Sequence, residues 1–473
     1  MTSFFQRALS KLFGGKQTPA TPATPGTPAP AAPTARSTRP QPVASPPPVA
    51  VAPAPQAAPP SRPTPVALAA RRPLMGANGQ VAGFEFRIDD MALRALAMGA
   101  DPVAQAAHVA AVLVAARLVA MDGRIGFARL PAAWLALAVV PKNDAGTVIG
   151  VEFNAAAAPL SSEVMFGVAA KVGEFRAVGA KLAWGAGQSM GSNPDFLLVR
   201  PGTPEAVTGL IAAVKAPPAG LANIPFIATD MASVEDLERA LQGGVRLASG
   251  SLTATDMAKT VAEAGPLAPE VGRVALLISK LAAGADTAVI VGDIKGDIGV
   301  SVRLLQRMNS ATFAHLGGVA SIDQAVMLLG RNDLHRWLSL MLMQFAGSRQ
   351  LSSALQEVAL WRARFVELLA LERGESEPGR FFTLGLASML GLILKMAPAD
   401  VVRTLSLPPE GAQALLTQSG PWFVYLRTAL DVENQNASEA SAAADGFTSA
   451  TRVLELSAQA WAWAAENTVR AAV

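Results

Sequence analysis

From Val81 to Ala248 short β-like runs alternate with helical stretches, and beyond Leu267 the alternation stops, leaving only helical periodicity. That switch restricts the fold to an α/β part followed by an all-α part. Strands are expected at 81–88, 125–130, 147–154, 181–184, 196–200, 224–229 and 245–248, with helices at 165–178, 204–214 and 234–242. Strand–helix alternation predicts a parallel sheet, open or closed into a barrel, with any chemistry at the C-terminal strand ends.

The helical part begins with helices at 271–281 and 287–294. The stretch 293–343 then reads as three short helices separated by two breaks. Val300, Leu304, Leu305 and Met308 form an apolar stripe on the first, with Arg303 and Arg307 on its wet side. Ser321 and Gln324 make a capping box for the second, which turns Ala325, Val326, Leu328 and Leu329 inward. Gly330 closes that helix, Asn332 or Asp333 caps the third, and the third buries Leu334, Trp337, Leu338 and Met341. Helices this short hold only by packing together. Two longer helices follow at 355–371 and 381–396. Pro398, Pro408, Pro409 and Pro421 punctuate the later turns, and a last helix at 453–466 carries Trp461 and Trp463.

Composition excludes several classes of function. The chain has no cysteine, so disulfides, thiolate metal sites and a cysteine nucleophile are out. Its three histidines, His108, His315 and His335, are too scattered to share a metal on one helix. A net charge of +3 with 16% charged residues offers no footprint for nucleic acid. The longest apolar runs, 109–116 and 381–394, fall short of the ~18 residues of a membrane span, and His108 and Arg117 bound the first of them. Residues 1–16 can form one amphipathic helix, with Phe4, Phe5, Leu9, Leu12 and Phe13 opposite Arg7, Lys11 and Lys16, suited to peripheral contact with an anionic membrane or a partner. Residues 17–70 are Pro, Ala, Thr and Ser with few large apolar groups, which predicts a disordered tether. A cytoplasmic protein, with membrane association through 1–16, is expected.

The runs D-I-G-V-S-V-R-L-L-Q-R-M-N-S-A from Asp297, S-I-D-Q-A-V-M-L-L-G from Ser321 and L-H-R-W-L-S-L from Leu334 resemble the HDOD domain, a helical output module of bacterial signalling proteins. R-R-P-L-M-G-A-N-G-Q-V-A-G-F-E-F from Arg71, V-E-F-N from Val151, F-I-A-T-D-M-A-S-V-E-D-L-E-R-A from Phe226 and V-R-L-A-S-G-S from Val245 resemble a degenerate EAL domain. Active EAL barrels hydrolyse cyclic di-GMP with divalent metals. The resemblance implies a degenerate EAL-type (β/α) barrel over 71–255, then an all-helical HDOD domain over 267–473, behind the Pro/Ala-rich tail.

Carried across residue by residue, the EAL pattern keeps Glu85 and Glu152. Its asparagine falls on Ala128, its paired aspartates on Trp184 and Gly185, its lysine on Leu198, its later glutamate on Thr229 and its final glutamine on Ser249. The His-Asp dyad of HD-type hydrolases falls on Ser388 and Met389. Two-metal hydrolysis needs several converging carboxylates. Two isolated glutamates cannot hold such a pair, and a tryptophan and a leucine would fill the centre. No catalytic residue, metal or cofactor is therefore expected, and Glu85 and Glu152 are vestigial.

The reading is a non-enzymatic signal-transduction protein, a pseudoenzyme barrel whose HDOD domain contacts a protein partner of unknown identity. Arg303, Arg307, His335 and Trp337 are the candidate contact residues, with core packing the competing role for His335 and Trp337. Asn309 is expected to fasten a helix end to backbone. Binding of cyclic di-GMP is not expected, because Leu198 and Thr229 stand where a phosphate ligand wants Arg or Lys. The alternatives are a residual phosphodiesterase using Glu85 and Glu152, or a membrane-tethered scaffold using residues 1–16.

Overall fold

The computed structural model describes residues 71–99, 101–153, 159–217, 220–263, 268–310, 319–344, 351–435 and 448–471. The amphipathic segment 1–16, the tether 17–70 and His315 lie outside them.

Eight strands close in sequence order into a barrel: β1 (Arg72–Gly76), β2 (Val81–Arg87), β3 (Ile125–Pro131), β4 (Thr147–Glu152), β5 (Lys181–Trp184), β6 (Phe196–Val199), β7 (Phe226–Met231) and β8 (Leu247–Gly250). The sheet is therefore closed, the second of the two options the alternation leaves. Seven strands lie where β-branched and aromatic runs place them. The eighth, β1, is absent from the sequence expectation because R-P-L-M-G carries a proline and a terminal glycine, both weak in strands. Pro73 is tolerated because β1 pairs with β8 only through Met75 and Gly76. A tight turn at Asn78 and Gly79 makes β1 antiparallel to β2, and β1 is antiparallel to β8 as well; the other pairings are parallel.

Helices α1 (Asp90–Gly99), α2 (Pro102–Met121), α3 (Ala132–Leu135), α4 (Ser162–Ala177), α5 (Pro204–Lys215) and α6 (Val234–Gln242) lie along the strands, and α7 (Met257–Glu263) leads out of the barrel. Asp101 caps α2 by accepting from the Val103 amide at 3.0 Å, with Pro102 in the first turn. His108 and Arg117, expected to bound the apolar run, instead lie inside this helix. Arg117 folds back to ion-pair with Asp144 at 3.0 Å, so its charge is carried at the helix edge without a break. Among the described residues α2 is the one helix long and apolar enough to cross a membrane by length and composition. Its Val109, Val112, Leu113 and Ala116 are buried, and it packs on β2 and β3. Gly126 on β3 allows this close fit, since a Cβ there would sit 1.9 Å from the Ala116 carbonyl oxygen.

The helical part consists of α8 (Pro269–Ala282), α9 (Thr287–Gly296), α10 (Ile298–Met308), α11 (Ile322–Gln344), α12 (Ser352–Arg373), α13 (Pro378–Leu394), α14 (Pro398–Leu405), α15 (Pro409–Leu416), α16 (Phe423–Glu433) and α17 (Ala450–Ala471). Gly330, at φ 74°, breaks α11 into the two helices read from the sequence, a conformation open to glycine at no steric cost. Ser321 accepts from the Gln324 amide at 3.2 Å, while the Gln324 side chain reaches the Ala320 amide at 3.3 Å, one residue short of the ideal box. Leu328 is 45% exposed and not inward as expected, because Ala325, Val326 and Leu329 already define the buried stripe. Asn309 clasps the end of α10 as anticipated. Its side chain donates to the carbonyls of Leu305 (2.9 Å) and Val319 (2.8 Å) and accepts from the Val319 amide (2.8 Å).

No helix lies between β1 and β2, so the outer face of that hairpin would be bare. The helical part covers it instead. Phe84 meets Trp461 edge-on at 4.6 Å between centroids, and Trp461 stacks on Trp361 at 5.0 Å. The Ala354 amide donates to the Gly79 carbonyl at 3.0 Å, and Arg124 pairs with Glu357 at 2.7 Å. Barrel and helical part share one core.

Candidate functional site: the barrel mouth

Side chains alternate inward and outward along each strand. One apolar layer inside the barrel is made by Leu74, Phe127, Val148, Ala183, Leu198, Ile227 and Leu247. Moving toward the C-terminal strand ends, the inward positions turn polar. Arg129, Thr229 and Ser249 lie two residues beyond Phe127, Ile227 and Leu247, and Glu152 lies four beyond Val148. On the antiparallel β1, Arg72 lies two residues before Leu74 and opposite Glu85.

Asp230 joins them by a local irregularity. The pairing of β7 with β8 slips between Ala228 and Met231, and Asp230 takes φ 58°. An extra residue of this kind re-aims a side chain, and aspartate tolerates the left-handed region better than most residues. The carboxylate reaches the guanidinium of Arg129 from there.

Arg129 is the centre of the site and is 2% exposed. Its Nη1 donates to Glu85, which also accepts from the Ser249 hydroxyl. Its Nη2 donates to Glu152 at 2.7 Å and to Asp230 at 2.8 Å, and Nε donates to Glu152 at 3.0 Å. Burial works against the charge on Arg129, but Glu85, Glu152 and Asp230 outweigh it and raise its pKa well above the ordinary guanidinium value. Burial likewise opposes the Asp230 carboxylate, and Arg129, then Arg72 and Arg87, overcome it and hold its pKa well below the usual range.

Three expectations change here. Glu85 and Glu152 are not isolated, because Arg129 bridges them and Asp230 adds a third carboxylate. The residue entering the mouth from β3 is Arg129 and not Ala128, which is buried in the outer layer; the alignment is one residue out of phase, and a one-residue slip reverses the face. Trp184 is also in the outer layer, so Ala183 faces the axis and no tryptophan fills the centre. Leu198 does lie inside.

The mouth also holds more cationic groups than Leu198 and Thr229 suggested. Arg72 pairs with Asp230 at 2.9 Å, Arg87 with Asp90 at 3.1 Å, and the half-exposed Arg200 with Glu152 at 3.6 Å. Each guanidinium thus has a carboxylate already.

This donor set does not fit a divalent pair. A metal site needs carboxylate lone pairs converging on an open position, and here the lone pairs converge on a side-chain cation. Among the described residues no cluster of three or more His, Asp or Glu is arranged to hold a metal. The helical part repeats the theme. Ser388, at the dyad position, accepts from Arg362 at 3.0 Å and donates to the Gly385 carbonyl at 2.6 Å, while Met389 is buried. Arg362 in turn pairs with Glu433 at 2.5 Å, both side chains being nearly inaccessible.

The candidate contact residues are spread out. Arg303 is exposed and Arg307 half-buried on α10. Trp337 is 7% exposed and belongs to the core. His335 borders a cleft of about 670 Å³ with Arg331, Arg336, Glu367, Arg380 and Thr383, and neither Arg303 nor Arg307 reaches that cleft. Burial, helped by the charge on Arg336, pushes the His335 imidazole down to about 4.

The residues missed in the sequence were Arg129, Asp230, Arg72 and Arg362. A basic residue two positions beyond Phe127, and so on the same face of the strand, was the signal for Arg129. The local sequence around Asp230 carries no such signal.

Comparison with known proteins gives the following. Residues 269–413 match the HDOD domain model. An uncharacterized protein, YuxH, of Bacillus subtilis is 28% identical over 145 residues, covering 30% of this chain and 36% of its own length. The cyclic di-GMP phosphodiesterase CdgJ of Vibrio cholerae is 28% identical over 138 residues, covering 29% of this chain and 31% of its own. The matched stretch thus spans about a third of each curated relative. Among solved structures, a putative signal transduction protein from Marinobacter aquaeolei VT8 is 15% identical at a TM-score of 0.31, covering 57% of this chain and 83% of its own. An EAL domain protein from Listeria monocytogenes is 12% identical at 0.28, covering 39% and 85%.

Proposed function

Given a closed EAL-type barrel followed by an HDOD domain at residues 269–413, we propose that this chain is a non-hydrolytic regulator in cyclic di-GMP signalling. The observation that carries the reading is the Arg129 guanidinium between Glu85, Glu152 and Asp230. A fixed cation there balances the carboxylates that a hydrolase would offer to metal, and it draws all three of them toward itself. The link to cyclic di-GMP comes from the Vibrio cholerae relative. Its barrel-mouth arginines being paired internally, the chain binds the nucleotide weakly or not at all, and it acts through protein contacts made by the helical part.

The test is direct. Purified protein incubated with cyclic di-GMP and Mg²⁺ or Mn²⁺ should yield no linear dinucleotide above a heat-treated control. Metal-dependent appearance of linear product would overturn the reading and favour a residual phosphodiesterase.

A further inference from the structure

The end of α16 touches both buried arginine sites through three consecutive residues. Glu433 points into the helical part and pairs with Arg362 at 2.5 Å. The Asn434 carbonyl accepts from Arg72 at 3.3 Å, and Arg72 holds Asp230 at the barrel mouth. Gln435, 1% exposed, donates through Nε2 to the Glu85 carbonyl at 2.6 Å and accepts from Arg87 Nε at 3.0 Å. Some 350 residues separate Gln435 from Glu85 in sequence, yet the contact is backbone-directed and fully buried. Gln435 also sits at φ 63°, a conformation that an L side chain keeps only while its surroundings hold it there.

We propose that Glu433, Asn434 and Gln435 form a conformational latch, joining the ion cluster of the barrel mouth to the buried Arg362 of the helical part so that loosening one end loosens the other. Glue between domains could be spread over any part of the interface. Here one corner connects the two polar centres, and its strained residue makes the contact. The latch closes a continuous path: Arg129 to Asp230, Asp230 to Arg72, Arg72 to Asn434, and Glu433 to Arg362. Two discrete arrangements, with Gln435 held or released, are what such a path needs to transmit a change. The proposal does not depend on whether the barrel hydrolyses anything, so the nucleotide assay above and the test below fail separately.

Amide hydrogen exchange on the full chain decides it. Gln435→Gly removes both side-chain hydrogen bonds while suiting the left-handed backbone, so a turn-only role predicts unchanged or slower exchange. A latch predicts at least tenfold faster exchange in two separated segments, the end of β2 around Glu85 and the middle of α12 around Arg362, with α4 and α5 unchanged. Arg87→Lys, which keeps the charge but loses the Nε donor, should give the same two-ended pattern more weakly. Acceleration at one end only, at neither, or uniformly across the chain would overturn the proposal.

Discussion

Arg129 brings a full charge into the inside of a barrel, where an unpaired ion would cost several kcal/mol. It is stable there because three carboxylates surround it, and they in turn need it. Arg129→Met should therefore destabilise the fold by about 3–5 kcal/mol, since Glu85 is left buried without a counter-charge. Adding Glu85→Gln should recover part of that loss. Urea unfolding of the single and double variants measures both, and a single-variant cost below about 1 kcal/mol would mean the cluster is not structural. His335 makes a second residue-scale prediction. Its folded pKa of about 4 lies below the unfolded value, so between those values the unfolded chain binds more protons and stability falls as pH falls. The loss from pH 7 to pH 5 should be about 2 kcal/mol, and His335→Gln should flatten that part of the melting-temperature profile. These residues were partly legible. Glu85 and Glu152 were found by motif, whereas Arg129 was missed because the family resemblance placed its neighbour Ala128 at the mouth, and a match of residue types does not fix strand parity.

Elements were easier to read than sites, because a helix or strand integrates a signal over many residues. The two-helix split of α11 was visible in Ser321, Gln324 and Gly330, whose chemistry is local. The length of α2 was not, since Arg117 looks like a stop until Asp144, from a distant loop, neutralises it. β1 was missed for the opposite reason: its propensity is poor, and the hairpin turn and barrel closure place it. The contact of α2 with β3 yields a prediction at this scale. Gly126→Ala puts a methyl group against the Ala116 carbonyl, which forces the helix away from the sheet. A cost of at least about 3 kcal/mol is expected in chemical denaturation, at the upper end of ordinary overpacking. Near-neutral behaviour would show that α2 moves freely on the barrel.

At the scale of the whole molecule, the helical part supplies the barrel with the cover that its β1–β2 hairpin lacks. Trp461 is central to that cover, packed between Phe84 of the barrel and Trp361 of α12. Trp461→Ala should cost about 3–5 kcal/mol and should split a single thermal transition into two, seen by calorimetry, if the shared core is what makes the parts melt together. A single transition shifted downward would place the coupling in the other contacts between the parts, among them the Ala354–Gly79 hydrogen bond, the Arg124–Glu357 pair and the latch at Gln435.

The amino-acid sequence alone determined the two fold classes, their order along the chain and seven of the eight strands. These are matters of periodicity and residue type, and both are written locally. Tertiary structure alone decided that Arg129 bridges Glu85, Glu152 and Asp230, that Asp230 turns inward at a slipped pairing, and that Gln435 closes on Glu85. Each depends on strand parity or on groups far apart in the chain meeting within hydrogen-bond range, and the directional fit of a buried charge exists only once the backbone has brought its partners together.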